Sequence, residues 1–213
     1  MTESKRAPTF VLVHGAWADG TSWHKVIDAL EADGAKAIAA PIPLTSVSDD
    51  VRALDRCLAR IDGPVVLAAH AYAGAVISGT KNERVKGLVF VAALAPDEGE
   101  TVGEVFGRGK PHPKAPQLAP DGDGFIWMPE GAFAAAFAQN ASAKESALFA
   151  AVQRPIHGAG EGSKAALEDP AVLVPAGRAG SHDQPRDAGL HGAADESHAS
   201  AAGCRSYADN DGA

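Results

Sequence analysis

Val65-Val66-Leu67-Ala68-Ala69-His70-Ala71-Tyr72-Ala73-Gly74 runs from an apolar, β-type stretch through a turn of small residues into a segment able to start a helix near Tyr72. A buried strand that feeds straight into a helix is the connection of a parallel sheet covered by helices. The same alternation extends on both sides. Short Val-, Ala- and Ile-rich runs predict strands at Thr9 to Val13, Ala35 to Ala40, Val65 to Ala68 and Val85 to Ala92. Between them, Trp23, Val26, Ile27 and Leu30 share one helical face, with Thr21 or Ser22 as cap and Gly34 as stop. Val51, Leu54, Leu58 and Ile61 share another, with Ser48 as cap and Asp62-Gly63-Pro64 as stop. The order βαβαβαβ from residue 9 to about residue 93 predicts an α/β fold with a mostly parallel sheet flanked by helices.

At 213 residues the chain is long enough for one domain with a full core, and 46% apolar against 22% charged residues is a globular balance. A formal charge of −8 lacks the basic patch that a nucleic-acid partner requires, and suits an anionic membrane no better. Only two cysteines occur, Cys57 and Cys204, which fits a reducing compartment rather than a disulfide framework. The opening residues lead into a strand too brief for a signal or membrane segment, so a cytoplasmic location is expected.

After Ala95-Pro96-Asp97-Glu98 the pattern changes, with Gly, Pro and His frequent through Lys110-Pro111-His112-Pro113 and Asp121-Gly122-Asp123-Gly124. Two helices follow, Pro129 to Asn140 and Ser142 to Val152. The expected organisation of the single domain, residues 1–213, is a core at 8–96, a small helical cap inserted at 97–153 to roof a pocket, and an atypical tail at 157–213.

Val11-Leu12-Val13-His14-Gly15-Ala16-Trp17, Trp23, the turn at Ala69 to Gly74, Val89 to Glu100 and Gln153-Arg154-Pro155-Ile156 together resemble the α/β-hydrolase fold. The resemblance is narrower still to the small bacterial esterase-like branch related to plant hydroxynitrile lyases and methyl-salicylate esterases, and covers roughly residues 8 to 156. It identifies the turn as the nucleophile elbow Gly-x-Ser-x-Gly, with alanine at all three diagnostic positions: Ala69, Ala71 and Ala73. It also implies an oxyanion hole made by the backbone N–H groups of Ala16 and Tyr72, and these survive any side-chain replacement. Ala71 stands at the nucleophile position without a nucleophile, so no acyl-enzyme can form there. Loss of a triad serine costs on the order of 10⁶ in kcat. The methyl groups of Ala69 and Ala73 are expected to relax the strained turn. His70 is the substitute candidate for catalysis, against the plainer reading that this position packs the turn.

Beyond Ile156 the family pattern stops, and 57 residues follow that contain a single aromatic, Tyr207. A one-base shift in reading frame accounts for this. Leu167 to Pro175, read one base over, can give W-K-T-R-P-S-W-F, the lead-in to the acid-bearing strand of such relatives. Ser181 to Pro185, taken with the flanking Gly180 and Arg186, can give D-R-M-I-N-P, and Cys204 to Ala208 can give V-D-H-T-P, the histidine loop. The resemblance therefore implies a frameshift near residues 157 to 166, with the triad acid and histidine lost along with the serine. His182, Asp183 and His198 inherit no triad role. Ala171 to Val174 can supply one strand by chance, and the region after about residue 178 is expected to be loosely packed, leaving a sheet edge open to aggregation or a homodimer.

The remaining candidates each have a plain reading. His14, in the His-Gly loop, is a structural hydrogen-bonder before it is a catalyst, and Trp17, Trp23 and Trp127 are core or cap packing before they are pocket walls. Candidate pocket residues are His14, Gly15, Trp17 and Trp127. Asp121 and Asp123 lack the remaining ligands of a calcium loop and read as a solvated turn. No metal or cofactor is expected. The sequence thus predicts an esterase-like scaffold for small esters or related carbonyl compounds, with little or no serine-type activity. Its alternatives are a non-catalytic pocket protein for a small carbonyl ligand, and cofactor-free acid–base chemistry by His70 or His14.

Overall fold

A computed structural model of the protein describes residues 6–97, 100–109 and 115–158. The expectations for the tail, His112 and Cys204 lie outside the described residues. Four parallel strands, β1 (Thr9–Val13), β2 (Lys36–Ala40), β3 (Val65–His70) and β4 (Val85–Val91), form one sheet in the order β2-β1-β3-β4. This is the parallel α/β sheet that the alternating pattern predicts.

Period-2 alternation sorts the strand residues between two layers. On one face Val11, Val13, Val65, Leu67 and Ala69 pack with α2 (Val47–Leu58) and α3 (Ala73–Gly79) in the main core. On the other, Leu12 and Ala68 pack with Trp23, Ile27 and Leu30 of the segment that ends in α1 (His24–Ala32). Full burial of a side chain such as Leu67 is worth about 1.5–3 kcal/mol. The chain leaves β1 towards β2 on one side and leaves β3 towards β4 on the other. The crevice between the carboxyl ends of β1 and β3 is therefore a topological switch point, where ligands of open α/β sheets bind.

The caps differ from expectation. A 3-10 turn, Gly20–Trp23, precedes α1, and its cap is Asp19, whose carboxylate accepts from the Thr21 amide at 2.8 Å. Ser46, not Ser48, caps α2, because its hydroxyl can accept from the Asp49 amide at 3.0 Å.

The segment after β4 holds α4 (Val102–Gly107), a two-residue strand β5 (Phe125–Ile126), α5 (Glu130–Ala132), a π-helical turn at Phe133–Phe137, α6 (Ala143–Val152) and β6 (Ile156–His157), which pairs antiparallel with β5. In place of one continuous helix from Pro129 to Asn140, the chain makes a short helical turn and then widens so that the Phe133 and Phe137 rings meet at 4.9 Å. A capping box of Ser142 and Glu145 opens α6, and Lys25 Nζ of α1 sits 2.6 Å from the Glu145 carboxylate, tying α6 to α1. Among the described residues no helix is long and apolar enough to cross a membrane.

Candidate functional site

Among the described residues, the non-glycine residues in the left-handed region are Trp17 (φ 57°), Leu44 (φ 61°), Ala71 (φ 50°) and Ala92 (φ 43°). Each lies just past the carboxyl end of one strand of the sheet. Left-handed backbone costs a non-glycine residue about 1–3 kcal/mol and persists only where surrounding contacts hold it. Here they do. The Ala71 amide donates to the Val91 carbonyl at 3.4 Å, and the Ala71 carbonyl accepts from Leu94 at 2.9 Å and Gly74 at 3.2 Å. The Trp17 amide donates to the Arg154 carbonyl at 3.1 Å, and its indole to the Ile126 carbonyl at 2.9 Å.

The elbow therefore keeps its strained turn despite alanine at 69 and 73, contrary to the relaxation expected from their methyl groups. Close approach is instead secured by Gly74: a Cβ there would lie 2.1 Å from the Leu94 carbonyl oxygen. Helix α3 starts directly behind the elbow, with Tyr72 as its cap residue and buried to 6% exposure.

The His-Gly loop meets this elbow. A Cβ on Gly15 would stand 3.1 Å from both the Ala71 methyl and the His70 carbonyl, and 3.4 Å from His70 Nδ1. Gly15, Ala71 and His70 are thus brought together, with Ala16 and Tyr72 as the next residues along the two chain segments. Nothing among the described residues accepts a hydrogen bond from the Ala16 amide.

The two histidines differ. His14 is fully buried, and its Nδ1–H donates to the Gly15 carbonyl at 3.0 Å, since a carbonyl can only accept. Burial lowers its pKa, partly offset by that hydrogen bond. His70 is partly exposed and lines a cavity of about 520 Å³ on the α1 side of the sheet; burial lowers its pKa too. Trp23, Val26, Val91, Phe137, Phe149 and Val152 supply apolar wall to this cavity, and Asp19, Ser22, Gln139 and Asn140 supply polar groups. The segment after β4 closes one side of it through Ala136 to Ala141.

Of the candidate pocket residues, His14, Gly15 and Trp17 sit in the loop against the elbow rather than in this cavity wall. Trp17 stands edge-on to Phe137 of the π-helical turn at 6.3 Å. Trp127 is 49% exposed, donates to Asp121 at 3.2 Å and takes no part in the cavity. The Asp121 carboxylate accepts from the amides of Asp123 and Phe125, so this turn organises itself. Among the described residues no group of three or more His, Cys, Asp or Glu could hold a metal ion.

One buried group was not singled out from the sequence. Asp50 on α2 is 0% exposed, accepting from the Tyr72 hydroxyl at 2.7 Å and from the Leu44 amide at 2.7 Å. Burial pushes its carboxyl up to about 6. Its signal was an acid on the apolar stripe of α2, three residues after Val47 and four before Leu54.

A family model described as "Alpha/beta hydrolase family" matches residues 10–208. No curated protein matches the chain. Among solved structures, a variant of polyneuridine aldehyde esterase superposes with a TM-score of 0.64 at 21% identity, over 78% of this chain and 72% of that one. A variant of tomato methylketone synthase I, complexed with β-ketoheptanoate, gives 0.65 at 19% identity over 79% and 72%. A methylesterase from Arabidopsis gives 0.59 at 18% identity over 79% and 72%. At these identities the structures speak for the fold alone, but the family match spans most of the sequence. With its left-handed elbow at the switch point and a His-Gly loop against it, the chain belongs to the alpha/beta hydrolase family.

Proposed function

We propose that this chain binds a small ester or ketone at the elbow and turns it over little or not at all by acyl transfer. The carbonyl oxygen is taken by the backbone amides of Ala16 and Tyr72, and the body of the ligand lies under the cap. One observation carries the reading: Ala71 holds the left-handed geometry of a nucleophile elbow, with its methyl group against the Gly15 loop where a nucleophilic oxygen would stand. Backbone donors fixed in a water-poor crevice can polarise a carbonyl without any side chain. A methyl group cannot attack one.

Acid–base chemistry by His14 is disfavoured because the ring is buried and does not line the cavity. His70, neutral and set in the cavity wall, is the better placed of the two for proton transfer. A cytoplasmic location and pairing of two copies through the open edge of β4 complete the proposal. The frame change near residues 157 to 166 belongs to it as well: the coding sequence decides it, since a one-base-shifted frame that fails to encode the family pattern contradicts it.

Acetophenone, a ketone that cannot be hydrolysed, tests the binding site. Titration should saturate with the native protein and fail with Gly15→Val, whose side chain must collide with Ala71 and His70. Equal affinity in both proteins would place the ligand elsewhere. Turnover of acetophenone analogues by proton exchange, lost in His70→Gln, would favour the acid–base reading instead.

A further inference from the structure

The buried carboxylate of Asp50 lies on α2, and its two oxygens accept from residues of two loops that carry left-handed backbone. One accepts from the hydroxyl of Tyr72, the residue after Ala71. The other accepts from the amide of Leu44, itself left-handed, and the Leu44 carbonyl accepts from the His157 amide at 2.9 Å, on β6 of the cap's return. A continuous path of hydrogen bonds therefore runs from the elbow through one carboxylate to the strand that closes the cap.

We propose that Asp50 is a positioning residue, fixing the direction of the Tyr72 backbone amide by anchoring that residue's side chain to the β2–α2 loop and, through it, to the cap. The physical ground is geometric. Tyr72 begins α3, and a helix of seven residues has little hold of its own on the orientation of its first amide. The phenol is a rigid lever with two side-chain torsions, and pinning its far end to a carboxylate that is 0% exposed restricts both. A carboxyl side chain on an apolar helix face costs desolvation that a leucine would not, so its place there is explained by the two donors it joins. The proposal builds on the carbonyl-binding reading, but its first test does not depend on it.

Amide hydrogen exchange at one pH, followed on the elbow segment 70–76 and on the α2 segment 51–58 as internal reference, compares the native chain with Tyr72→Phe and Asp50→Asn. Losing a buried hydrogen bond should speed exchange at the elbow about tenfold in both variants, with α2 near its native rate. Tyr72→Phe removes a single oxygen, so it decides the matter alone if Asp50→Asn does not fold. Unchanged elbow exchange, or equal acceleration of both segments, would overturn the proposal. Carbonyl-labelled acetophenone adds a spectroscopic reading: its infrared stretch should move to lower frequency on binding the native chain, and less so in Tyr72→Phe. A native protein that leaves the stretch unmoved contradicts the carbonyl-binding reading, whereas the exchange result still stands or falls by itself.

Discussion

Strands β1 and β4 are built from the same kinds of residue and end in opposite environments. Val11, Leu12 and Val13 of β1 are at most 1% exposed, whereas Val89, Phe90 and Val91 of β4 are 45%, 41% and 42% exposed. Hydrophobicity made both of them strands; position in the sheet decided their burial. Strand β1 has β2 and β3 on its two sides and helices on both faces, while β4 is paired only with β3 among the described residues. The elbow draws on both regions, because its turn is gripped by Val91 and Leu94 on the β4 side and by the Gly15 loop on the β1 side. Among the described residues, a precise turn therefore rests on a sheet that is solid on one flank and open on the other.

Truncation should separate the two regions most strongly. Leu67→Ala on β3, fully buried in the main core, is expected to cost about 2–5 kcal/mol in urea denaturation. Val89→Ala should stay within about 0.5 kcal/mol, as exposed substitutions do. Similar losses at both sites would mean that β4 is covered in solution.

Ionisation of Asp50 comes next in size. Its folded-state pKa is raised to about 6 from 3.8, so between these values the folded protein keeps a proton that the unfolded chain has released. Stability should consequently fall as pH rises through that window and level off above it, by about 3 kcal/mol for this group in isolation. The nearby charges of Asp49 and Arg154 act in opposite senses, the first raising and the second lowering its pKa, with the Tyr72 hydroxyl also lowering it. Melting curves from pH 4 to pH 7 should show the fall in the native chain and a flatter profile in Asp50→Asn; identical profiles would remove Asp50 from the account.

Gly74→Ala probes the seam between the regions. Its added methyl group must displace the Leu94 carbonyl, at a cost of about 1–3 kcal/mol, and should loosen the elbow along with β4. The smallest effect is expected from Val89→Lys, which should leave the melting temperature nearly unchanged while reducing any self-association seen in sedimentation. A dimer that survives Val89→Lys would be built on some other surface.

The sheet could be read from the chain because Val11, Val13, Val65 and Leu67 repeat at period 2 between helical stretches, and because the elbow sits where a strand becomes a helix. The loop and elbow could be matched from residue types alone, since their contact is between backbones and small side chains. Other features had weaker local signals. The β5–β6 pair has two residues on each side, too few for any periodicity, and Ala-rich Phe133–Phe137 gives no sign of widening into a π turn. Trp127 was a reasonable pocket candidate by size, yet the self-contained Asp121 turn holds it outward. Asp50 was hidden behind Asp49, since acids in the first turn of a helix ordinarily serve its dipole. Its position in register with Leu54 marked it as a core residue.

The proposed function depends on a site that would hold a carbonyl and offer nothing to attack it. Mixing the purified chain with p-nitrophenyl acetate in a stopped-flow instrument, then with a fluorophosphonate before intact-mass measurement, tests that directly. The expected result is a linear release of nitrophenolate at the background rate and an unmodified mass. A burst proportional to protein, with an adduct mapped to the crevice between the Gly15 loop and the elbow, would contradict it.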